Sequence, residues 1–227
     1  MNPTPIRGIS SMATRALLAE LTTAWTTASG QAVQIESVGG VDAARRVAAG
    51  EAFDIVVLAS DAIDRLIAAG HLAPGRIDLV RSAVAVAVPQ GQPVPALANE
   101  AALRAAVQAA PTLGYSTGPS GVALQALFAR WGLADELAAR TVQAPPGVPV
   151  ASLVAQGRVA LGFQQLSEML GVPGITLAGT LPADVAIVTT FSAAVPAGGL
   201  PRVQGLIDHL NSTAAAEVKR RHGMDPA

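Results

Sequence analysis

Short apolar runs alternate with amphipathic segments along most of the chain. Runs such as FDIVVLA and TLGYS are each followed by a small polar loop and then by a stretch with helical spacing. In the first such stretch Leu17, Leu21 and Trp25 recur every four residues, which predicts one apolar face of a helix. In SDAIDRLIAAG, Ser60 or Asp61 is expected to be the N-cap. Strands that alternate with helices predict an α/β fold in which a mostly parallel sheet is flanked by helices.

Two longer apolar runs, RSAVAVAVPQGQPVPAL and DVAIVTTFSAAV, interrupt this alternation. We expect them to form two strands that cross between two lobes. The first lobe would combine residues 1–82 with residues 193–227, and the second would comprise residues 83–192. Each lobe is expected to have its own mostly parallel sheet, with a ligand cleft between the lobes.

Composition narrows the possible functions. The chain is 51% hydrophobic and 14% charged, which excludes disorder, and its net charge of −1 without a basic stripe argues against nucleic-acid binding. The absence of cysteine excludes disulfides and thiolate nucleophiles. No apolar run approaches the roughly 20 residues of a membrane span, so we expect no membrane insertion. The N-terminal MNPTPIRGISS lacks a leader pattern, so we expect a periplasmic protein if a leader precedes it and a cytoplasmic one otherwise.

Small polar residues fill the loops that follow the predicted strands. The loops ISSM, SVGG, LASD and STGPSG consist largely of Ser, Thr and Gly. Ligands of open α/β sheets bind beyond the carboxyl ends of the strands, where helix N-termini attract anions. Ordinary helix capping explains any one such loop, whereas several in one chain favour a shared site for an anion.

Reactive groups are few. GPSG is followed by Val122 and therefore lacks the nucleophile-elbow spacing, and no dinucleotide or phosphate-loop fingerprint occurs. No acid or histidine cluster has metal-ligand spacing, so we expect neither a cofactor nor a metal. Lys219, the only lysine, stands beside Arg220 and Arg221 and is expected on a solvated face.

Four charged residues near the candidate loops have two interpretations each. Asp42, Asp61 and Glu168 are either acids of a helix first turn or general bases. Arg15 either forms a local ion pair or holds a ligand carboxylate with two hydrogen bonds.

Four segments resemble, in the same order, the type 2 periplasmic binding proteins, particularly their molybdate-binding branch. They are ISSMATRALLAELTTAWTTASGQAVQIESVGGVDAARRVAAGEAFDIVVLAS, LVRSAVAVAVP, LVAQGRVALGF followed by QQLSE, and LNSTAAAEVKRRHGM. Proteins of that family have two α/β lobes joined by crossing strands and hold an oxyanion between them with uncharged hydrogen-bond donors. The resemblance therefore implies the same fold and an anion site between the lobes.

The resemblance also implies particular ligand contacts. Ser10 or Ser11 resembles the first-loop serine of the family, and the TGPSG loop resembles its third contacting loop. In the second loop Val38 and Gly39 stand where the family usually carries a serine pair, so one hydroxyl donor is missing. The expected ligand-binding residues are Ser10, Ser11, Arg15, Gly39, Gly40, Ser60, Thr117, Gly118, Ser120, Gln164 and Gln165.

A glutamine pair departs from the family pattern. Gln164 and Gln165 stand where the family's tyrosine ligand would fall. Because an amide both donates and accepts hydrogen bonds, the pair suits a carboxylate or a hydroxylated organic acid better than a bare tetrahedral oxyanion.

Two functions remain open, beside the third possibility of a ligand-sensing module that has neither a transporter nor chemistry. The first is a substrate-binding protein that closes its lobes over a small anion, such as molybdate or a small organic carboxylate, and passes it to an ABC transporter permease. The second is a cytoplasmic isomerase on the same scaffold, because the superfamily includes members similar to aconitate isomerase. Asp61, Glu168 or Asp42 would then move the proton, and Arg15 would hold a carboxylate.

Overall fold

A computed structural model describes residues 4–227 and has a mixed α/β fold. The chain divides into two compact units. One contains the described residues up to Ser82 together with Thr190–Ala227, and the other is Ala83–Thr189. No helix within residues 4–227 is long and apolar enough to span a membrane.

The elements follow one another in the alternating order that the sequence predicts. The first are β1 (Ile6–Ser11), α1 (Arg15–Ser29), β2 (Val33–Val38), α2 (Gly40–Ala48), β3 (Ile55–Ala59), α3 (Ser60–Ala68) and β4 (Ile77–Pro89). Next come α4 (Glu100–Ala109), β5 (Leu113–Tyr115), α5 (Pro119–Arg130), α6 (Ala134–Ala138), β6 (Thr141–Gln143), α7 (Val150–Ala155), β7 (Leu161–Gln165), α8 (Leu166–Met169) and β8 (Ile175–Thr180). The last are β9 (Val188–Ala194), α9 (Leu200–Leu210), α10 (Thr213–Arg221) and β10 (Met224–Pro226). Short 3₁₀ helices cover Met12–Thr14 and Ala183–Val185.

In the first unit, three neighbouring strands of the sheet are parallel to one another. β1 pairs in parallel with β2 and with β3, and Ser10 lies opposite both Ser37 and Val57. β9 runs antiparallel to β3, and β10 runs antiparallel to the first part of β4. The carboxyl ends of β1, β2 and β3 therefore share one edge.

The second unit repeats this arrangement with shorter strands. β5 pairs in parallel with both β6 and β7, while β4 pairs antiparallel with β7 and with β8. The carboxyl ends of β5, β6 and β7 therefore share an edge as well, which is where the STGPSG loop and the glutamine pair lie.

The expectation of two mostly parallel sheets needs correction. Each unit combines two parallel with two antiparallel pairings, because β4 and β9 run against the strands beside them. All ten strands also belong to one hydrogen-bonded sheet, since β4 and β9 contribute residues to both units. The sheet thus does not show two separate lobes.

The predicted apolar face of the first helix is confirmed. Leu17 and Leu21 of α1 are buried in the core of the first unit, and the partly buried Trp25 packs against the same core. Burial of such side chains contributes about 1.5–3 kcal/mol each, so the stripe fixes which side of α1 faces the sheet.

The N-cap expected for α3 is displaced by one residue. Ala59 is the N-cap of α3 and Ser60 is its first residue, with no side-chain cap. Ser60 does not cap because its hydroxyl bonds to the Thr190 carbonyl and to Ser192 instead.

Lys219 is buried, which contradicts the expected solvated position. Its side chain is 2% exposed, and Nζ donates to the carbonyl of Leu79 at 2.9 Å and to Asn211 Oδ1 at 3.2 Å. It lies one turn after the buried Ala215, on the same face of α10. Burial without a carboxylate partner among the described residues lowers the pKa of Lys219.

Replacing Lys219 is expected to change how stability depends on pH. Between its lowered pKa and the ordinary 10.5, the unfolded chain binds the proton more readily than the native state, so wild-type stability rises with pH in that range. Lys219→Met should remove this rise, whereas Arg220→Met on the neighbouring exposed position should keep it. Urea unfolding at several pH values measures both slopes, and equal slopes for Lys219→Met and wild type would contradict the interpretation.

Candidate anion-binding site

Three predicted loops lie side by side at one edge of the first unit. The parallel strands β1, β2 and β3 end at Ser11, Val38 and Ala59, and α2 and α3 begin at Gly40 and Ser60 directly beyond them. Ser11 lies against the start of α2, because a Cβ at Gly40 would be 3.7 Å from its Oγ. The structure thus brings the ISSM, SVGG and LASD loops together.

The helices at this edge start without side-chain caps. Their N-caps, Gly39 and Ala59, make no side-chain hydrogen bond to the first turn. By contrast, Asn99 caps α4 and Ser212 caps α10. First-turn N–H groups without a capping acceptor, together with the positive end of the helix dipole, favour an anion.

A serine pair supplies a donor that sequence reasoning missed. Ser10 is fully buried, and its Oγ lies 2.8 Å from the Oγ of Ser37 on β2. Ser10 also reaches the Ser11 carbonyl, but only at 3.4 Å. When Ser10 donates to Ser37, the hydroxyl hydrogen of the half-buried Ser37 is available to a ligand. Only the pairing of β1 with β2 reveals this role.

Arg15 and Ser37 line one groove of about 560 Å³. No ion pair of Arg15 is found within residues 4–227, so the local ion pair considered from the sequence is not formed. Glu36 also lines the groove, but Arg46 holds it with bonds of 2.7 and 2.8 Å and so lowers the pKa of its carboxyl. Arg46 therefore offsets the charge of Glu36, and the Arg15 guanidinium adds positive charge.

A hydrogen-bonded chain fixes Ser60 at the start of α3. Its Oγ lies 2.7 Å from Ser192 Oγ and donates to the Thr190 carbonyl at 3.0 Å. Ser192 is fully buried and donates to Asp78 Oδ1 at 2.6 Å. Arg76 bonds to Ser192 and Asp78. The position of Ser60 is therefore held by groups from two other segments, β9 and the start of β4.

Two of the candidate bases pair with arginines of their own helices. Asp42 of α2 pairs with Arg45, and Asp61 of α3 pairs with Arg65 at 3.0 Å. Both are partly or well exposed, as expected of first-turn acids.

In the second unit, the STGPSG loop leads from β5 into α5. Gly118 is the N-cap and makes no side-chain bond, Pro119 is the first helical residue, and Ser120 is buried. Ser116 Oγ lies 3.3 Å from Ser120 Oγ, and the half-buried Thr117 lies between them in the chain. This loop therefore combines an uncapped helix start with hydroxyl groups.

Gln164 and Gln165 are the last two residues of β7, directly before α8. Gln164 uses both ends of its amide within the protein: Oε1 accepts from the Ala151 N–H at 3.0 Å, and Nε2 donates to Glu168 at 2.9 Å. Gln164 therefore has a structural role, because its amide connects β7 to α7 and to Glu168.

Gln165 is only half satisfied. It is 4% exposed, and its Nε2 donates to Thr189 Oγ1 at 2.8 Å. Its Oε1 is buried and has no hydrogen-bond partner within the described part of the chain. Such a group is costly unless something donates to it. Because β5 and β7 are parallel, Gln165 lies at the same edge as the start of α5.

Uncapped helices at the ends of parallel strands are typical of α/β proteins that bind a ligand. The family model "Bacterial extracellular solute-binding protein" matches residues 6–225, and the chain belongs to this family. The chain is also 36% identical over 185 residues to the aconitate isomerase of a Pseudomonas species, covering 80% of this chain and 70% of that protein.

Solved structures share the fold at lower identity. The periplasmic molybdate-binding protein of Azotobacter vinelandii superposes with a TM-score of 0.79 at 19% identity, over 96% of this chain and 98% of that one. PEB3 of Campylobacter jejuni with bound L-phospholactate superposes with a TM-score of 0.74 at 15% identity, over 97% of this chain and 99% of that one. These superpositions confirm the type 2 periplasmic-binding-protein fold inferred from the sequence, and this fold is mixed α/β.

A substitution at Gly121 tests how closely the start of α5 approaches the loop that precedes it. A Cβ at Gly121 would lie 1.9 Å from the Ser116 carbonyl oxygen, whereas one at Gly118 would meet Ser116 Oγ at an ordinary 3.7 Å. Helix propensity alone favours Gly121→Ala by up to about 1 kcal/mol. We expect the clash to prevail and the variant to lose about 1–3 kcal/mol.

The matched control is Gly118→Ala, which should change the free energy of unfolding by less than about 1 kcal/mol. Thermal and urea unfolding of the two variants measure the difference. A Gly121→Ala protein as stable as wild type would refute the close approach of α5 to its preceding loop.

Proposed function

We propose that this protein binds a small organic anion with several carboxylates through its strand-end loops. The observation that carries the proposal is that α2, α3 and α5 each begin at such a loop without a side-chain cap. Ser37 adds a hydroxyl donor, and Arg15 adds a guanidinium that is not neutralised within the described chain. A carboxylate accepts hydrogen bonds from uncharged donors at helix starts and also from a guanidinium.

Two features favour a carboxylate over molybdate. A guanidinium binds a carboxylate with two parallel hydrogen bonds, and Arg15 is free to do so. The unpartnered Oε1 of Gln165 can accept a hydrogen bond from a hydroxyl or a protonated carboxyl of an organic acid, and a fully ionised tetrahedral oxyanion offers neither. The L-phospholactate complex of PEB3 supports the view that this fold accommodates organic acids.

The sequence predicts that both sets of loops contact one ligand as the lobes close. That stays a prediction, and its chemical basis is that each set offers donors that one anion can satisfy at once. Closure of this kind would make binding depend on residues from both units.

We further propose that the ligand is aconitate and that the protein interconverts its cis and trans isomers. The 36% identity to an aconitate isomerase favours this activity. In such a reaction a base removes a proton from the methylene carbon beside the double bond, and the electron pair spreads over the allylic carbons and a carboxylate. Returning the proton to the other end of the allylic unit moves the double bond, and the loop donors stabilise the intermediate charge.

Glu168 is the best placed of the three candidate bases. Asp42 and Asp61 each form an ion pair with an arginine of their own helix. Glu168 accepts a hydrogen bond from the amide of Gln164 and lies three residues beyond Gln165, at the end of β7 where we propose that the ligand binds.

Delivery of the same anion to an ABC transporter permease is the second candidate function. Membership of the extracellular solute-binding family favours it. It predicts tight binding without turnover and a periplasmic location, whereas the isomerase predicts exchange between the two isomers.

Binding is tested by a thermal-shift panel of trans-aconitate, other tricarboxylates, dicarboxylates, molybdate, tungstate and sulfate. A true ligand at a hundredfold excess over Kd should stabilise the protein by about 3 kcal/mol. We expect tricarboxylates to give the largest shifts. A larger shift with molybdate than with every carboxylate would contradict the proposal.

Removing one donor from each unit tests whether one ligand uses both loop sets. Ser37→Ala and Thr117→Val should each raise the Kd for trans-aconitate about 10-fold, the effect of a lost hydrogen bond to a charged group. Ser29→Ala, at the exposed end of α1, is the control and should leave Kd unchanged. If only one of the two variants binds more weakly, the ligand is held by one unit alone.

Isomerisation is measured by following the cis and trans signals of aconitate in proton NMR spectra. Glu168→Gln should reduce the rate at least 100-fold while binding persists, since general base catalysis contributes about 10²–10⁴-fold. The exposed Glu217→Gln serves as the control. No exchange by wild-type protein at high concentration would exclude the isomerase, and an active Glu168→Gln would exclude Glu168 as the base.

A further inference from the structure

The hydroxyl of Ser60 carries a single hydrogen, and the structure offers it two acceptors. The Thr190 carbonyl lies at 3.0 Å and Ser192 Oγ lies at 2.7 Å. Which bond Ser60 forms depends on where the hydrogen of Ser192 goes.

The hydrogen of Ser192 is committed to Asp78. Ser192 Oγ lies 2.6 Å from Asp78 Oδ1, and an ionised carboxylate can only accept. Arg76 bonds to the same carboxylate and donates to Ser192 Oγ at 3.2 Å. Ser192 is therefore an acceptor toward Ser60, because its own hydrogen is donated to Asp78.

Ser60 consequently has no hydrogen left for a ligand. Its hydrogen points to Ser192 or to the Thr190 carbonyl, and turning it outward would leave two oxygens 2.7 Å apart with no hydrogen between them. Arg76 also bonds to Asp64 at 2.8 Å, one turn along α3 from Ser60, which holds this geometry in place. Ser60 is half-buried, and its Oγ still has a lone pair with which to accept.

We infer that Ser60 determines specificity by accepting a hydrogen bond, so that the ligand group beside it is a donor rather than an ionised oxygen. The inference rests on the proposed function and defines its substrate class: a polycarboxylate that carries a hydroxyl or one protonated carboxyl, so that aconitate, which has no hydroxyl, would bind with one carboxyl protonated. The sequence assigned Ser60 to the ligand, but as a member of a set of donors.

Gln165 supplies an independent observation with the same chemistry. Its Nε2 is engaged by Thr189, while its buried Oε1 lacks any donor among residues 4–227. A ligand with only acceptor oxygens would leave this group unsatisfied, whereas a hydroxyl or a protonated carboxyl would satisfy it. In each unit, one acceptor thus lies among loops that otherwise offer donors.

The test compares citrate with propane-1,2,3-tricarboxylate, which differ only by the central hydroxyl, in calorimetric titrations of the full chain. Wild type should bind citrate about 3- to 10-fold more tightly, the worth of one neutral hydrogen bond. Ser60→Ala should abolish this ratio while leaving the Kd of propane-1,2,3-tricarboxylate within about twofold. Ser60→Thr retains a hydroxyl and should retain the ratio, and Ser29→Ala should do so as the distant control.

Two results would overturn the inference. Equal weakening of both ligands by Ser60→Ala would mean that Ser60 donates to a carboxylate, and equal affinity of wild type for the two ligands would mean that no acceptor is used. If tricarboxylates bind in either case, the proposed function stands without the inference. If no tricarboxylate binds at all, both fail together.

Discussion

Uncapped helix N-termini at the ends of parallel strands are the constraint on which the rest of this structure depends. A helix leaves its first N–H groups without internal partners, and a side-chain acceptor usually satisfies one of them. Asn99 and Ser212 do so for α4 and α10, but Gly39, Ala59 and Gly118 leave α2, α3 and α5 open. These three helices follow the parallel strands β2, β3 and β5, so an anion at the strand ends would supply the acceptors that their first turns lack.

The hydroxyl groups around these helices are not interchangeable, because each has one hydrogen to give. Ser37 can offer its hydrogen outward, since Ser10 is able to donate to it. Ser60 cannot, since Ser192 and the Thr190 carbonyl hold it and Asp78 in turn holds Ser192. A loop rich in serine therefore presents a defined pattern of donors and acceptors, and such a pattern discriminates between ligands of similar charge.

The sequence predicted those features that depend on local pattern. The stripe of Leu17, Leu21 and Trp25 specified α1, and alternating apolar runs specified the α/β class. Strands as short as Thr141–Gln143 have no period to detect. Partners distant in sequence were also hidden: the burial of Lys219 depends on Leu79, 140 residues away, and the hydrogen of Ser60 depends on β9. The loops were predicted, whereas the direction of their hydrogen bonds required the structure.

The central claim is that backbone amides at the starts of α2, α3 and α5 bind a carboxylate ligand. It is tested most directly by following the amide signals of the ¹⁵N-labelled protein while trans-aconitate is added. We expect the largest saturable shifts at the first-turn amides of these three helices, with little change at the capped starts of α4 and α10. Shifts confined to other residues, or none at millimolar ligand, would contradict the account.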